Sequence, residues 1–531
     1  MRRHRGPGVA PPDGTDLIPH HATARLPCPA RVRTRGRVRP DRSALARRRA
    51  LVARRASRSR SRRQRPPAEP RFFHSPPRTP SGAALFHLRS CFIEVFMSRQ
   101  LLAMALAPLL GLFIVCIGNG FLSSLTTLRL DAAGESATIV GVVSSAYFIG
   151  LTLGAMFNDR LIVRIGHIRA YGSFASLIAV TILLQGLYFD AWAWAVLRLV
   201  NGWATVGVFL VVESWLLLAA DQKRRGQVLA LYMIALYGSG MLGQIKLGAI
   251  NDWSEAAPFM LAGMLAALSV LPMVIIPRIS PQVERVEPLS PRQLLRVTPT
   301  GVIGCFGSGI AIAAIYTLLP LYLQRVGLNV DDIGRMMAAT ILGAMVLQYP
   351  VGRWSDRQDR QVVLIALGVF CLVLSALLLM IPASSPFLIV LLFLLGGGVF
   401  AIYPVAVSHS ADRAPADALV RMIQGLLLIN SLGSAISPLM ISPVMTHVGE
   451  AGLFWAFVLL NVLLTASFMW RRKERPAPAP VAPFASAALM SPTGAELRVT
   501  DDLVQGAREH EQAEDLSDVV PNMEAVPAGG R

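Results

Sequence analysis

Long apolar runs separated by short polar segments recur along the chain from residue 101 to residue 470. Each run is close to the roughly 20 residues that a helix needs to cross the hydrocarbon core of a bilayer. The runs predict twelve membrane-spanning helices, over residues 101–124, 137–157, 168–189, 192–219, 227–250, 256–276, 299–322, 332–351, 361–382, 386–409, 418–443 and 450–470. The chain is therefore predicted to be an all-α membrane protein.

One of these runs, Leu197–Arg225, contains two ionisable side chains, Arg198 and Glu213. Ionised groups are costly in hydrocarbon, so charges inside a span mark a candidate functional site. The two residues are too far apart to pair, because 15 residues of helix span roughly 22 Å. They lie about 60° apart around the helix axis, so both can face the interior of a helix bundle. We expect Arg198 towards the outside of the membrane and Glu213 in its inner third.

Two interpretations of Glu213 stay open at the level of the sequence. Burial favours the protonated form of a carboxylate, so Glu213 could bind and release a proton during transport. Alternatively, Glu213 is structural and accepts hydrogen bonds from Ser, Tyr or Trp on neighbouring helices. Glu213 and Arg198 are our candidates for proton coupling.

The polar loops between the runs alternate between basic and mixed charge. The basic set is Arg160, Arg164 and Arg169; Lys223, Arg224 and Arg225; Arg278, Arg285, Arg292 and Arg296; Arg353, Arg357 and Arg360; Arg413; and Arg471, Arg472, Lys473 and Arg475. The other set contains mainly Arg129, Asp131, Asp190, Asp252, Glu255, Arg325, Asp331, Asp332, Arg335 and Glu450. Because basic loops stay in the cytoplasm, twelve spans with both termini cytoplasmic satisfy all the loops.

A charged, proline-broken linker over 277–298 divides the spans into two sets of six, 97–276 and 299–470. The halves resemble each other, because Gly207–Asp221 aligns without gaps on Gly398–Asp412 at an offset of 191 residues. Chance similarity between apolar runs is the alternative. Two pseudo-symmetric six-helix bundles are an architecture in which substrate binds between the repeats near the middle of the membrane. The segment 471–531 is rich in Pro and Ala and then acidic, and is predicted to be a disordered cytoplasmic tail.

The composition agrees with a membrane protein, since 53% of the 531 residues are hydrophobic and 16% are charged. The net charge of +19 comes almost entirely from residues 1–96, which contain 23 Arg and 5 acidic residues. The rest of the chain has 28 basic and 27 acidic residues. The basicity therefore carries no information about partners of the main domain.

Residues 1–96 are rich in Arg, Pro and Ser and cannot form a core. Arg clusters bind phosphate in nucleic acids, and transit peptides are also rich in Arg and Ser. We favour a third interpretation, that this segment is translated upstream sequence and that the native start is Met97. The composition changes sharply there, into a short basic start followed by the first span. We expect no binding of nucleic acid.

Several polar or amphipathic side chains lie inside the predicted spans and are candidates for lining a substrate cavity. They are Asn119, Tyr147, Gln244, Tyr316, Gln348, Tyr403 and Gln424. No P-loop, HExxH or GxSxG motif is present, and no cysteine pair has the CxxC spacing of a metal site. We therefore expect no enzyme activity, no metal and no cofactor.

The pattern of six plus six spans with a basic loop repeated in each half resembles the major facilitator superfamily. The sequence from Arg198 to Gly202 is similar to the RxxxG motif of that family's fourth helix. Five segments resemble, more narrowly, the bacterial YcaD-like transporters: GVVSSAYFIG from Gly141, VVES from Val211, LGQ from Leu242, LPLYL from Leu319 and YPVA from Tyr403. The resemblance covers about residues 100–470. The resemblance also supports Arg198 as a candidate for proton coupling, since the fourth-helix arginine of proton-coupled members is implicated in coupling.

The family's loop motif has the form GxxxDRxGRR and occurs here in two altered copies. The second copy keeps Gly352, Asp356, Arg357 and Arg360 but has Asp359 in place of a glycine. The first copy keeps Arg164 and Gly166, and has Asp159 and Val163 where Gly and Asp are usual, with Arg160 between them. The first copy therefore lacks the aspartate of the charge interaction that this motif usually makes.

These features predict a secondary active transporter of a small solute that works by alternating access and is coupled to protons. The alternative is an intramembrane enzyme or a non-transporting sensor on the same scaffold. We expect a monomer in the lipid bilayer of the bacterial inner membrane. The substrate does not follow from the sequence.

Overall fold

The computed structural model describes residues 99–219, 225–275, 289–413 and 418–474. Within these ranges the chain forms helices and no strands. The helices are α1 (Arg99–Ala132), α2 (Ala137–Ile165), α3 (His167–Leu187), α4 (Ala191–Ala219), α5 (Arg225–Asn251), α6 (Ala257–Leu268), α7 (Val270–Ile275), α8 (Pro291–Val297), α9 (Pro299–Arg325), α10 (Val330–Ser355), α11 (Arg360–Met380), α12 (Leu388–Ala411), α13 (Leu419–Val448) and α14 (Gly452–Glu474).

Ten segments of the described chain are long and apolar enough to cross a membrane, with α6 and α7 together forming one of them, Ala257–Ile275. Helices α5 and α10 are also long, with 27 and 26 residues, but are more polar. These two helices pack against each other, and Gln348 of α10 bonds to Tyr237 of α5 across their contact. The ten apolar segments and these two long helices together are consistent with the predicted twelve spans.

Several helices extend beyond the expected bounds. Helix α1 continues to Ala132, well beyond residue 124, and α14 continues to Glu474, into the segment expected to be a disordered tail. The expected linker 277–298 contains the short helix α8, whose first turn is closed by a capping box between Ser290 and Gln293. Such a box satisfies backbone N–H groups that a helix start leaves free. The Arg-rich segment 1–96 and the acidic part of the tail lie outside the described residues.

The helices pack in two sets with equivalent partners. In the first set α1 packs on α5, α2 on α4, and α3 on α4 and α6; in the second set α9 packs on α13, α10 on α12, and α11 on α12 and α14. We call these the first and second bundles. Contacts between the bundles run from α2 to α13, from α5 to α10 and from α1 to α9. The packing thus repeats the internal symmetry expected from the sequence.

Glycines at the closest helix crossings repeat between the bundles. A Cβ atom on Gly150 or Gly202 would collide with a backbone carbonyl oxygen across the α2–α4 crossing. Gly343 and Gly396 meet the same restriction at the α10–α12 crossing. Small residues allow the backbones of membrane helices to approach closely, and here the same device holds the equivalent crossing in each bundle.

Charged helix ends distinguish two faces of the molecule. The face that carries Arg164, Arg357 and Arg472 is named the basic face, and the face that carries Asp131, Arg325 and Glu450 is named the opposite face. Between them, many large apolar side chains are exposed, as on a surface that lipid covers. Examples are Leu187, Trp192, Val196, Met264, Val274, Val373, Leu459 and Leu463.

Candidate functional site

The α2–α4 crossing places Arg198 of α4 over the ring of Tyr147 of α2. The guanidinium carbon lies 4.2 Å from the ring centre, which is a cation–π geometry. Nη2 of Arg198 donates a hydrogen bond of 2.8 Å to Oγ of Ser123 on α1. Arg198 is 1% exposed, and its Nε and Nη1 have no hydrogen-bond partner among the described residues. The RxxxG motif thus supplies a buried cation, with Gly202 allowing the close approach of α2.

A small cavity lies between the two bundles, one helical turn from Ser123 along α1. Its volume open to water-sized spheres is about 30 Å³, which is room for about two water molecules. The first bundle lines it with Cys116, Asn119, Gly120, Phe209, Leu236, Tyr237 and Gly240, and the second bundle with Tyr316 and Ile341. The rings of Tyr237 and Tyr316 both contact Phe400 of α12 edge to face. The cavity is a small, largely apolar space with a few polar groups.

Of the seven side chains expected around a substrate cavity, Asn119 and Tyr316 line this one. Two more lie directly behind it. Asn119 Nδ2 donates to the Tyr147 hydroxyl at 3.2 Å, and Gln348 Nε2 donates to the Tyr237 hydroxyl at 3.1 Å. These four side chains come from both bundles, and the structure brings them to one place.

The remaining three expected cavity residues lie elsewhere. Gln244 Nε2 donates to Gly120 O at 2.8 Å and to Ser124 Oγ at 2.9 Å, so its amide holds α5 to α1. Tyr403 is buried on α12, and Gln424 is half-buried on α13. None of the three lines the cavity described above.

Sequence reasoning missed the aromatic members of the cavity wall, Phe209 and Tyr237. Tyr237 begins the glycine-rich run of α5, three residues before Gly240, which also lines the cavity. A helix turn repeats about every 3.6 residues, so this spacing placed both on one face. Which face of α5 meets the other bundle, however, depends on packing between distant segments of the chain.

Glu213 lies on α4 towards the basic face and is 3% exposed. Its Oε1 accepts a hydrogen bond of 2.5 Å from the hydroxyl of Tyr232 on α5. A tyrosine partner on a neighbouring helix is the contact expected of a structural glutamate, and it is also compatible with a carboxylate that changes protonation. Arg198 and Glu213 are both buried, and the structure gives them separate partners.

An ion pair joins the bundles at the opposite face. Nε and Nη2 of Arg325, at the end of α9, each lie 2.9 Å from Oδ1 of Asp131, at the end of α1. Further hydrogen bonds between the bundles on this side are Thr127 Oγ1 to Thr317 O at 3.0 Å, Gln324 Nε2 to Leu128 O at 3.4 Å, and Thr138 Oγ1 with Thr446 Oγ1 at 3.4 Å. These contacts close the bundles against each other on the opposite face.

The second copy of the loop motif forms a buried ion pair at the basic face. Arg360 begins α11 and is 1% exposed, and its Nε lies 2.8 Å from Oδ2 of Asp412 at the end of α12. Asp356 lies 3.6 Å from the same guanidinium. Arg357 is exposed, and Gly352 is buried in the last turns of α10. The motif thus ties α10, α11 and α12 together.

The first copy of the motif is built differently. Gly166 separates α2 from α3 with φ of +87°, a backbone conformation that favours glycine. The residue equivalent to Arg360 is His167, which is buried with its ring centre 6.5 Å from that of Trp215. Arg160 and Arg164 are exposed and Asp159 is half-buried. Asp221, the counterpart of Asp412, lies outside the described residues.

Comparisons with known proteins place this arrangement in a family. The model of the Major Facilitator Superfamily matches residues 108–337 and 302–508. The "Uncharacterized MFS-type transporter YcaD" of Escherichia fergusonii is 32% identical over 376 residues, which is 70% of this chain and 96% of that protein.

Solved transporter structures share the fold. The nucleoside transporter NupG has a TM-score of 0.59 at 14% identity, over 71% of this chain and all of that chain. A D-xylose–proton symporter has a TM-score of 0.54 at 15% identity, over 70% of this chain and 96% of that chain. Because these two structures are so distant in sequence, they show the fold alone. The family match and the YcaD relative show which family the chain belongs to. The chain therefore belongs to the Major Facilitator Superfamily and, within it, to the YcaD-like group of MFS-type transporters.

Proposed function

We propose that this transporter carries a small solute by alternating access of its two bundles and is driven by protons. The observation that carries the proposal is the cavity between the bundles. Asn119 and Tyr237 line it from the first bundle, and Tyr316 and Ile341 line it from the second. A solute held there contacts both halves, so a rocking motion of one half against the other exposes it to each face in turn.

In this mechanism the contacts at the opposite face form a gate. The pair of Asp131 and Arg325 and the neighbouring hydrogen bonds join the bundles directly. They must break for the cavity to open towards that face. We propose that the basic face is cytoplasmic, since basic loops stay inside, and that the gate is extracellular.

We propose Glu213 as the site that binds the transported proton. It is a buried carboxylate inside a span, and an ionised carboxylate there is costly unless it is paired. The hydroxyl of Tyr232 can donate to the ionised form and can remain in place when the carboxyl group is protonated. One solved structure with this fold is a proton symporter. Arg198 is the second candidate for coupling, because its charge lies in the same helix.

The test of proton coupling compares accumulation with exchange in proteoliposomes that contain the full chain. The solute is a radiolabelled compound selected by thermal shift on purified protein. Glu213→Gln should abolish accumulation driven by a proton gradient while counterflow exchange continues, because exchange needs no net proton movement. Glu450→Gln removes an exposed carboxylate at the opposite face and serves as the control. Unchanged accumulation in Glu213→Gln would remove Glu213 from the mechanism.

Transporters of this family are generally not enzymes, and the family implies a small-molecule substrate. The chain is a multi-pass membrane protein of a bacterial transporter type. We further propose that it acts as a monomer in the inner membrane, with both termini in the cytoplasm and with no binding of nucleic acid.

A further inference from the structure

We infer that the transported solute is an organic anion with an apolar or aromatic body, and that its charged group binds Arg198. The inference rests on the proposed transport function, because it names the substrate class of that site. Its starting point is a charge that the described residues leave without a counter-charge.

Arg198 is fully charged at physiological pH and is 1% exposed. Its only hydrogen bond within the described part of the chain goes to the neutral hydroxyl of Ser123. The ring of Tyr147 adds a favourable cation–π contact but carries no net charge. Buried charges in proteins are normally paired or hydrogen-bonded at every donor, whereas Nε and Nη1 of Arg198 have no partner among these residues.

The described part of the chain supplies no anion of its own at this position. Arg198 forms no ion pair with any residue that the structure describes. Glu213 lies on the same helix but roughly 22 Å away along its axis, where it is bonded to Tyr232. The planar guanidinium keeps free donors at Nε and Nη1, and a carboxylate, sulfonate or phosphate group can accept from either of them together with the second N–H of Nη2.

A chain of contacts links Arg198 to the cavity between the bundles. Asn119 lines the cavity and precedes Ser123 by one turn on the same face of α1. The Asn119 amide also bonds to the hydroxyl of Tyr147, the residue beneath the guanidinium. Asn119 Oδ1 has no partner among the described residues and can accept from a ligand. A solute in the cavity therefore needs to extend by about one helical turn to reach Arg198.

The rest of the cavity wall indicates the body of the solute. Aromatic surface comes from Phe209, Tyr237 and Tyr316. The lining residues include no Asp, Glu, His, Lys or Arg. Aromatic walls favour an apolar or aromatic body. The present volume of about 30 Å³ holds no such solute, so binding has to be accompanied by opening of the bundles.

The test measures thermal stabilisation of the purified full chain by matched acids and amides at constant ionic strength. The probes are benzoate, phenylacetate, indole-3-acetate and hexanoate, each compared with its neutral amide. We expect at least one acid to raise the melting temperature in a saturable way while its amide does not. Arg198→Gln should weaken binding of that acid by at least about 30-fold, as expected when one partner of a buried charge pair is removed.

Two further variants complete the design. Arg198→Lys keeps the charge but loses the planar fork, so it should retain the preference for acid over amide with weaker affinity. Arg335→Gln removes an arginine whose side chain is 62% exposed and should bind the acid as the wild type does. If Arg198→Gln does not fold, the inference is tested by comparing acid with amide binding in the wild type and in Arg198→Lys, since this comparison needs no neutral variant.

The inference is overturned if no acid in the panel stabilises the chain more than its amide, or if Arg198→Gln binds the acid with wild-type affinity. Counterflow of the labelled acid separates this inference from the transport proposal. If the acid binds in a way that depends on Arg198 but shows no counterflow, transport of the acid is refuted while the anion site at Arg198 stands. Counterflow of a neutral solute that is unaffected by Arg198→Gln would refute the anion site and leave transport.

Discussion

Removal of the ion pair between Asp131 and Arg325 tests the proposed gate most directly. The side chains are 16% and 23% exposed, and both Nε and Nη2 of Arg325 lie 2.9 Å from the same carboxylate oxygen. A hydrogen bond to a charged group is worth about 1.5–3 kcal/mol when it is buried. Partial exposure lowers this value, so we expect the pair to stabilise the closed gate by about 1–2 kcal/mol. Asp131→Asn should then raise the open population by about 5- to 30-fold.

The assay follows the modification of a cysteine placed behind the gate. Thr127→Cys is suited to this because Thr127 is buried and bonded to Thr317 across the interface. The background carries substitutions of the five native cysteines, and all rates are compared within it, so that the loss of the Thr127 hydroxyl affects every variant equally. With fast closing, the labelling rate is proportional to the open population. Arg325→Gln should accelerate labelling as much as Asp131→Asn, and the double variant should be no faster than either.

Arg129→Gln is the matched control for this experiment. Arg129 lies at the same face and bonds to Asn251 and Glu255, which all belong to the first bundle. Its loss should therefore leave the labelling rate close to that of the background. The reasoning is refuted if Asp131→Asn labels no faster than Arg129→Gln, or if the effects of Asp131→Asn and Arg325→Gln simply add in the double variant.

Three further predictions concern packing, the basic face and topology. Gly202→Ala should lower the melting temperature by several degrees, because the added methyl group collides with the backbone of α2. The control is Gly172→Ala, whose added methyl group meets only an ordinary van der Waals contact and should change the melting temperature little. Equal effects of the two substitutions would contradict the close α2–α4 crossing. Arg360→Gln should destabilise the second bundle by about 3–5 kcal/mol, because it removes one partner of the buried ion pair between Arg360 and Asp412. Denaturant unfolding should show no such loss for the exposed Arg357→Gln, and similar losses would refute the role of the pair. A single cysteine at Asp190 should react with impermeant reagent from outside intact cells, and labelling only in inverted vesicles would overturn the orientation.

Much of the fold follows from sequence patterns that act locally. Apolar length predicts the spans, and the charges at their ends predict the alternation of faces. Arg198 and Glu213 were identified because charges stand out in an apolar run, and both are buried in the structure. The less apolar helices α5 and α10 show the limit of this signal, since part of their polar surface packs inside the protein, as where Gln348 of α10 bonds to Tyr237 of α5.

Contacts between distant segments could not be predicted in the same way. Gln244 was expected in the cavity, yet its amide bonds to α1, because Gly120 and Gly240 bring the two helices close together. Asp131 and Arg325 were recognised only as loop charges, and their pairing depends on how the bundles meet. Such features depend on the relative positions of whole helices, which one sequence does not specify.

The central claim is that the two bundles move against each other to expose the cavity to each face in turn. Distances between spin-label pairs in liposomes test it most directly. One pair, at Thr138 and Thr446, reports on the opposite face, where the two hydroxyl oxygens lie 3.4 Å apart. The other pair, at the exposed Arg164 and Arg357, reports on the basic face. We predict two populations at each face that shift in opposite directions when the pH is changed, and a single unchanged distance at both faces would contradict alternating access.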